Sequence, residues 1–383
     1  ADGAIRLDGA FDASGGDAGL RGGLFSAVLG EYVEPGPGQP LVPARLRVGA
    51  RIAPGQNDGE TRIDAARLEN AGFDRIHLSS RDAIVLENGL DLGAAGALPL
   101  RELRLDAAAI LTAGGDATLR ADALTVGNLD PIRRAASSAS TSTGTLALDA
   151  RLLDLVGTFD LGGMARAELT GREAVRFSGT TAGAARPAGE VRSAADLAFH
   201  GAVMAPASYT RARIAAPGRT VSFDSDAATP AQPFSAQGSL TVEARDIVQA
   251  GNVWAPLGQL DFRAADTLAF ADGSLTSVAA APGSLLPFGK IQNGRTWVVD
   301  LDPARVPDGQ QTVGTLDEKS IRTTGATVDM RPGAKFDLAG GGDLQAYEFT
   351  VGPGGSRDLL ADAGTYAILP GYTGGFAPAD PQE

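Results

Sequence analysis

Ser239-Leu240-Thr241-Val242-Glu243-Ala244, followed by Gln259-Leu260-Asp261-Phe262-Arg263-Ala264, is the stretch on which the reading of this chain turns. In each segment apolar and polar residues alternate. Alternation puts every second side chain on one face, so each segment reads as a half-buried strand. The apolar pair Leu240/Val242 recurs as Leu260/Phe262, and Leu268/Phe270 follows within the same Ser239–Val278 window. A step of about 20 residues is near the length of one three-sided β-solenoid coil, in which parallel strands stack at about 4.8 Å.

Working outward, the same pattern appears in Ile5-Arg6-Leu7-Asp8, Leu46-Arg47-Val48-Gly49-Ala50, Leu103-Arg104-Leu105-Asp106-Ala107, Leu146-Ala147-Leu148-Asp149-Ala150 and Leu197-Ala198-Phe199. Turn formers lie between these runs, including Gly15-Gly16, Asn57-Asp58-Gly59, Asn88-Gly89 and Gly114-Gly115. One coil cannot bury its apolar face alone, so stability requires several coils in register. The expected fold is all-β: a right-handed parallel β-helix (β-solenoid) with protruding loops. Coils are expected over 1–280, with loop insertions near 34–43 and 135–143. The first of these contains Glu34-Pro35-Gly36-Pro37-Gly38, which cannot hold a strand or helix. The second is a Ser/Ala/Thr-rich stretch, read as a loop or a short helix after Pro131. Residues 281–383 are expected to be an irregular segment followed by further coils. Pro282–Gly289 breaks the rhythm, Trp297-Val298-Val299 restarts a strand, and Lys319–Leu338 resumes the pattern.

Composition agrees with that picture. Gly accounts for 51 of 383 residues, about twice its usual share of about 7%, and Pro for another 22. That density of breakers opposes long helices. The net charge is -13, which disfavours nucleic acid as a partner. The absence of cysteine excludes thiol chemistry, disulfides and Cys-ligated metals. No apolar run has the roughly 18 residues of a membrane-spanning helix. Ala1-Asp2-Gly3-Ala4 opens mid-pattern, as expected for a fragment or processed product of a longer polypeptide.

Toward the C-terminus the chain carries Thr324-Gly325-Ala326-Thr327-Val328-Asp329-Met330-Arg331-Pro332-Gly333-Ala334-Lys335-Phe336-Asp337-Leu338, then Gly340-Gly341-Gly342-Asp343-Leu344-Gln345-Ala346-Tyr347-Glu348-Phe349, Gly352-Pro353-Gly354-Gly355-Ser356-Arg357-Asp358 and Tyr366-Ala367-Ile368-Leu369-Pro370. In these strings it resembles the large filamentous-haemagglutinin-like exoproteins of Gram-negative bacteria; the upstream repeats match the family's coils only generically. The resemblance implies a right-handed parallel β-helix and export by two-partner secretion through an outer-membrane pore. It also implies a place at the cell surface or outside the cell, with roles in adhesion, biofilm formation or contact with other cells. The family's N-terminal secretion-recognition domain is not seen here, nor is a recognisable toxin module.

Candidate sites are few. His77 and His200 are the only histidines, and neither lies in an HExxH frame. His77 falls between Ile76 and Leu78, away from the apolar face, and reads as a surface or corner residue. No Ser sits in a G-x-S-x-G elbow. Gly352–Ser356 lacks the strand–turn–helix setting of a phosphate loop, and Pro353 removes a donor. Gly15-Gly16-Asp17-Ala18-Gly19 is a single partial copy of a calcium-binding repeat, a motif that works only in tandem. Asp224 and Asp226, two residues apart, share a face and are the one pair weighed for glycosidic cleavage, against ordinary turn capping. Of the aromatics Tyr32, Tyr209, Trp254, Trp297, Tyr347, Tyr366 and Tyr372, the candidate surface contacts are Tyr32 and Tyr372. No Arg-Gly-Asp tripeptide occurs.

The expected function is therefore a structural and adhesive shaft without catalysis, cofactor or metal, secreted or displayed outside the outer membrane. Its expected partners are the secretion pore during export, a host or bacterial surface or a polysaccharide, and further copies through its ends. The alternatives are a β-helix polysaccharide hydrolase or lyase and the stalk of a contact-dependent toxin. A groove lined by clustered carboxylates and basic residues would argue for the enzyme; its absence would argue for the shaft.

Overall fold

The computed structural model describes residues 11–16, 21–30, 44–49, 60–93, 100–130, 142–181, 186–292, 295–300 and 310–348. The protein is all-β. Among the described residues the single α-helix is Ala65–Asn70, six residues long. Asp64 caps its N-terminus by accepting a hydrogen bond from the Ala66 N–H at 3.0 Å. Among the described residues every strand–strand pairing of the large sheet is parallel, apart from an isolated antiparallel bridge between Thr180 and Ala188, and antiparallel strand pairs lie in a small second sheet.

The window that decided the sequence reading is also the clearest part of the fold. Ser239–Ala244 pairs in register with Gln259–Ala264, so Leu240 lies over Leu260 and Val242 over Phe262. Farther along the same two segments, Ile247 pairs with Leu268, and Val253 pairs with Thr276. Each of these layers thus has three sides, two of them covered by the single strand Ser239–Gln249 in one layer and by Gln259–Ala264 and Thr267–Phe270 in the next, and Leu268/Phe270 belongs to the second side of its layer rather than to a new one. The next layer is Ser320–Thr324, Thr327–Met330 and Lys335–Asp337, which pair with Gln259–Arg263, Thr267–Phe270 and Leu275–Ser277. Upstream the same logic links Arg166–Ser178 to Thr145–Val156, and Arg75–Leu86 to Glu102–Thr112.

Inward-facing residues form one continuous core in which aliphatic columns alternate with a file of rings. Phe199, Phe223, Phe262 and Phe270 are each at most 1% exposed. Phe199 and Phe223 are register partners, with ring centroids 5.3 Å apart and planes 15° apart. The file continues through Phe262 and Phe270 to Phe336. Glycine matters where layers meet closely at a bend. Gly163 has φ +81°, and a Cβ there would lie 2.1 Å from the Thr112 carbonyl oxygen.

The segment after residue 281 differs in detail from the sequence reading. Pro282–Gly289 is not simply a break: Leu285–Gln292 is a strand, joined by Thr296–Asp300, Gln310–Thr312 and Asp343–Glu348 in a four-stranded second sheet. Alternation was hidden there by Pro287 and Gly289. Leu286 and Phe288 anchor this sheet in a separate small core with Ala236 and Ala280, against which Tyr209 and Trp297 pack. The expected loop at 34–43 and residues 135–141 of the second expected loop lie outside the described residues.

Candidate functional site

The large sheet carries a groove of about 480 Å³ on its outer face, crossing the strands Ala188–Ser193, Arg211–Asp224, Ser239–Gln249, Gln259–Ala264 and Ser320–Thr324. Parallel register builds it. Glu190 pairs with Arg213, Arg213 with Thr241, Thr241 with Asp261 and Asp261 with Arg322, giving one column across five layers. Two residues along, Arg192, Ala215, Glu243, Arg263 and Thr324 form a second column. On the other side Arg211, Ser239, Gln259 and Ser320 form a third. These positions face outward because their neighbours Ala212, Ile214, Leu240, Val242, Leu260 and Phe262 face the core.

Charge is organised along the columns. The Arg213 guanidinium joins Glu190 and Glu243, and Arg263 joins Glu243 at 3.1 Å and Asp261 at 2.6 Å. Arg192 holds Asp160 at 2.6 Å at the neighbouring edge. The hydrogen bond from Arg213, with help from Arg263, keeps the Glu243 carboxyl below the ordinary carboxylate range despite partial desolvation. Arg211 and Arg322 differ from these: both are exposed, and among the described residues neither guanidinium has a hydrogen-bond or ion-pair partner. Asp261 Oδ1 and Ser320 Oγ are closed to water and lack a hydrogen-bond partner. An unsatisfied polar atom of this kind costs about 1–3 kcal/mol.

The arrangement suits binding better than bond cleavage. A glycosidic acid must keep a proton near neutrality, which requires a carboxyl whose pKa is raised. Here Glu190, Glu243 and Asp261 all lie against guanidinium groups, and Glu243 is shifted the opposite way.

The residues singled out in the sequence lie elsewhere. His200 sits between Asp224 and Asp226, with Nδ1 3.8 Å from one carboxylate and Nε2 3.3 Å from the other. This brings His200 together with the Asp224/Asp226 pair, from which it was read separately in the sequence. The Asp224 and Asp226 side chains are, however, 68% and 94% exposed, and Asp224 accepts from the Ser225 N–H at 2.9 Å. It is a turn-capping carboxylate on an open corner. His77 lies 2.8 Å from Glu102 in the neighbouring strand. Trp254 donates to the Ala279 carbonyl at 2.7 Å and Trp297 to that of Phe288 at 2.6 Å, so both are packing residues. Tyr209 packs edge-on against Phe288 beneath Arg186, whereas Tyr347 is exposed. Tyr32, Tyr366, Tyr372, Asp17–Gly19 and Gly352–Ser356 lie outside the described residues. Among the described residues no group of three or more His, Asp or Glu is placed to hold a metal ion, and no helix is long and apolar enough to cross a membrane.

The groove itself was not singled out from sequence. Its signal is a charged pair two residues apart, Glu190-x-Arg192, Arg211-x-Arg213 and Asp261-x-Arg263, on the outward phase of three of the five strands that the groove crosses. Register partners in these columns lie from 20 residues apart (Thr241 and Asp261) to 61 (Asp261 and Arg322), so no fixed period aligns these pairs. Comparison of the chain with family models, with curated proteins and with solved structures returns no match.

Proposed function

We propose that this chain is a structural and adhesive shaft segment of a large secreted or surface-exposed bacterial exoprotein, built as a right-handed parallel β-helix. In this reading it belongs with the filamentous-haemagglutinin-like group and reaches the exterior through an outer-membrane pore. The observation that carries the reading is the run of parallel, in-register pairings from Leu24–Leu29 through Lys335–Asp337. Such a stack resists bending because each layer is hydrogen-bonded to the next, and its outer columns repeat a side-chain pattern along the axis. In this reading the last layer among the described residues, where Val328 and Met330 are exposed, is where a further copy would add its strands.

Small-angle scattering and negative-stain microscopy of the chain test this. A rod of constant cross-section is expected, lengthening by end-to-end contact at high concentration. An isotropic particle that stays monomeric would overturn the shaft reading.

The alternative reading is a polysaccharide hydrolase or lyase, for which the groove is the place where cleavage would have to occur. Prolonged incubation with polygalacturonate and neutral glycans, scored for new reducing ends or unsaturated products, tests it. The guanidinium-held carboxylates lead us to expect no turnover.

A further inference from the structure

We infer that the outer groove binds an extended stretch of a carboxylated polysaccharide, with Arg211 and Arg322 each taking one carboxylate. The inference rests on the adhesive-shaft reading and gives it a ligand class. The chain as a whole carries a net charge of -13, yet the groove lining contains Arg211, Arg213, Arg263 and Arg322 against Glu190 and Asp261. Arg213 and Arg263 are neutralised by neighbouring carboxylates, whereas Arg211 and Arg322 are unpaired among the described residues. A guanidinium presents a planar fork that matches a carboxylate with two parallel hydrogen bonds.

Geometry sets the length of the ligand. Three layer steps of about 4.8 Å and one two-residue step of about 6.6 Å place the Arg211 and Arg322 Cα atoms about 16 Å apart. A monosaccharide cannot reach both, whereas an oligomer can, and the second contact is then intramolecular. Between the two arginines lie Ser239 and Thr241, short polar side chains suited to sugar hydroxyls, and Gln259, whose amide donates to the Glu318 carbonyl at 2.9 Å.

The floor argues against a peptide. These strands spend their backbone groups on neighbouring layers, so the groove is a sheet face and offers no edge for strand addition. No aromatic ring lines it, which removes the platform on which nucleic-acid bases would stack.

Titration calorimetry of the full chain with galacturonate oligomers of increasing length is the test. Affinity is expected to rise steeply once the oligomer spans both arginines and to fall with added salt. Arg211→Ala and Arg322→Ala should each weaken the long oligomer about tenfold and reduce the length dependence. Arg120→Ala, whose guanidinium pairs with Asp91 away from the groove, should change nothing; circular dichroism confirms that each variant is folded. Four results would overturn the inference: no binding by any oligomer, equal binding of monomer and oligomer, equal binding of neutral dextran, or equal loss in Arg120→Ala. Poly-glutamate binding as tightly as polygalacturonate would replace the glycan with an acidic peptide. Scattering on the same samples reports the rod separately, so a failed groove and a failed shaft are distinguishable.

Discussion

Replacing Phe223 with alanine tests both how the core is packed and how far a defect travels. The ring is fully buried, lies 5.3 Å from Phe199 in a stacked arrangement and meets Phe262 edge-on at 6.4 Å. Truncating a buried Phe costs about 3–5 kcal/mol through lost transfer energy and an incompletely collapsed cavity. Two aromatic contacts, each worth about 0.5–1.5 kcal/mol beyond burial, place Phe223→Ala in the upper part, near 4–5 kcal/mol. At about 1.4 kcal/mol per factor of ten, local opening becomes at least about a thousandfold more frequent. In a stack coupled mainly between nearest neighbours the damage stays local. Hydrogen exchange read by mass spectrometry should show protection lost at Asp196–Gly201, Thr220–Phe223 and Asp246–Gln249, the strands that pair around the substitution. Arg75–Leu86 and Glu102–Thr112 should keep theirs. Uniform loss across all strands would refute nearest-neighbour coupling, and a cost below about 1.5 kcal/mol would refute the tight packing of the ring.

Three further outcomes are expected. Gly163→Ala should lower the denaturant midpoint more than Gly273→Ala: both glycines have left-handed φ, +81° and +82°, but only Gly163 has a carbonyl oxygen 2.1 Å from the added methyl. The shared conformational cost is about 1–2 kcal/mol, so equal midpoints would refute the close approach. Stability should be level between about pH 7 and 5 and fall below about pH 4. The reason is that Glu243 is held low by Arg213, while the burial of Asp82, which raises its pKa, is outweighed by Arg81 and the Ala44 N–H. A depressed carboxyl contributes stability above its unfolded pKa and loses it on protonation. Asp82→Asn should flatten the acid limb, and greater stability in acid would contradict the assignment. Arg213→Ala should cost only about 0.5–1 kcal/mol, because the guanidinium is 44% exposed. That difference should shrink with salt as the Debye length falls below about 10 Å; a salt-independent loss would mean that packing, not charge, was removed.

Strand identity was legible because apolar residues alternate so regularly. Leu240/Val242 and Leu260/Phe262 predicted not only two strands but their pairing partners, which the register matches residue for residue. The step is not constant elsewhere. Extra residues at bends, such as Pro217-Gly218-Arg219 between Ala216 and Thr220, shift the spacing without shifting the columns. For that reason the outward charges could not be aligned across layers, and the groove stayed hidden. The helix at Ala65–Asn70 left a readable mark, Asp64 followed by Ala65-Ala66-Arg67-Leu68, but it is too short to stand out against the surrounding strand rhythm. His200 met Asp224 and Asp226 only because a parallel pairing set Phe199 beside Phe223, a contact no local pattern announces.

Between Ser277 and Ser320 the chain leaves the main stack, builds four strands' worth of another sheet with later residues, and returns to lie on Gln259–Arg263. Arg186 fastens the point of return by pairing with Asp317 and donating to the Tyr209 carbonyl at 2.8 Å. Layer matching therefore does not depend on counting residues between layers; it depends on Leu260 meeting Ile321 and Leu268 meeting Val328. Closing a longer detour costs little, since the entropy grows only as the logarithm of its length. A scaffold of this kind is modular in cross-section: cargo can be spliced in at a corner while the layers above and below keep their alignment, so the detour at residues 278–319 marks a natural port for grafting.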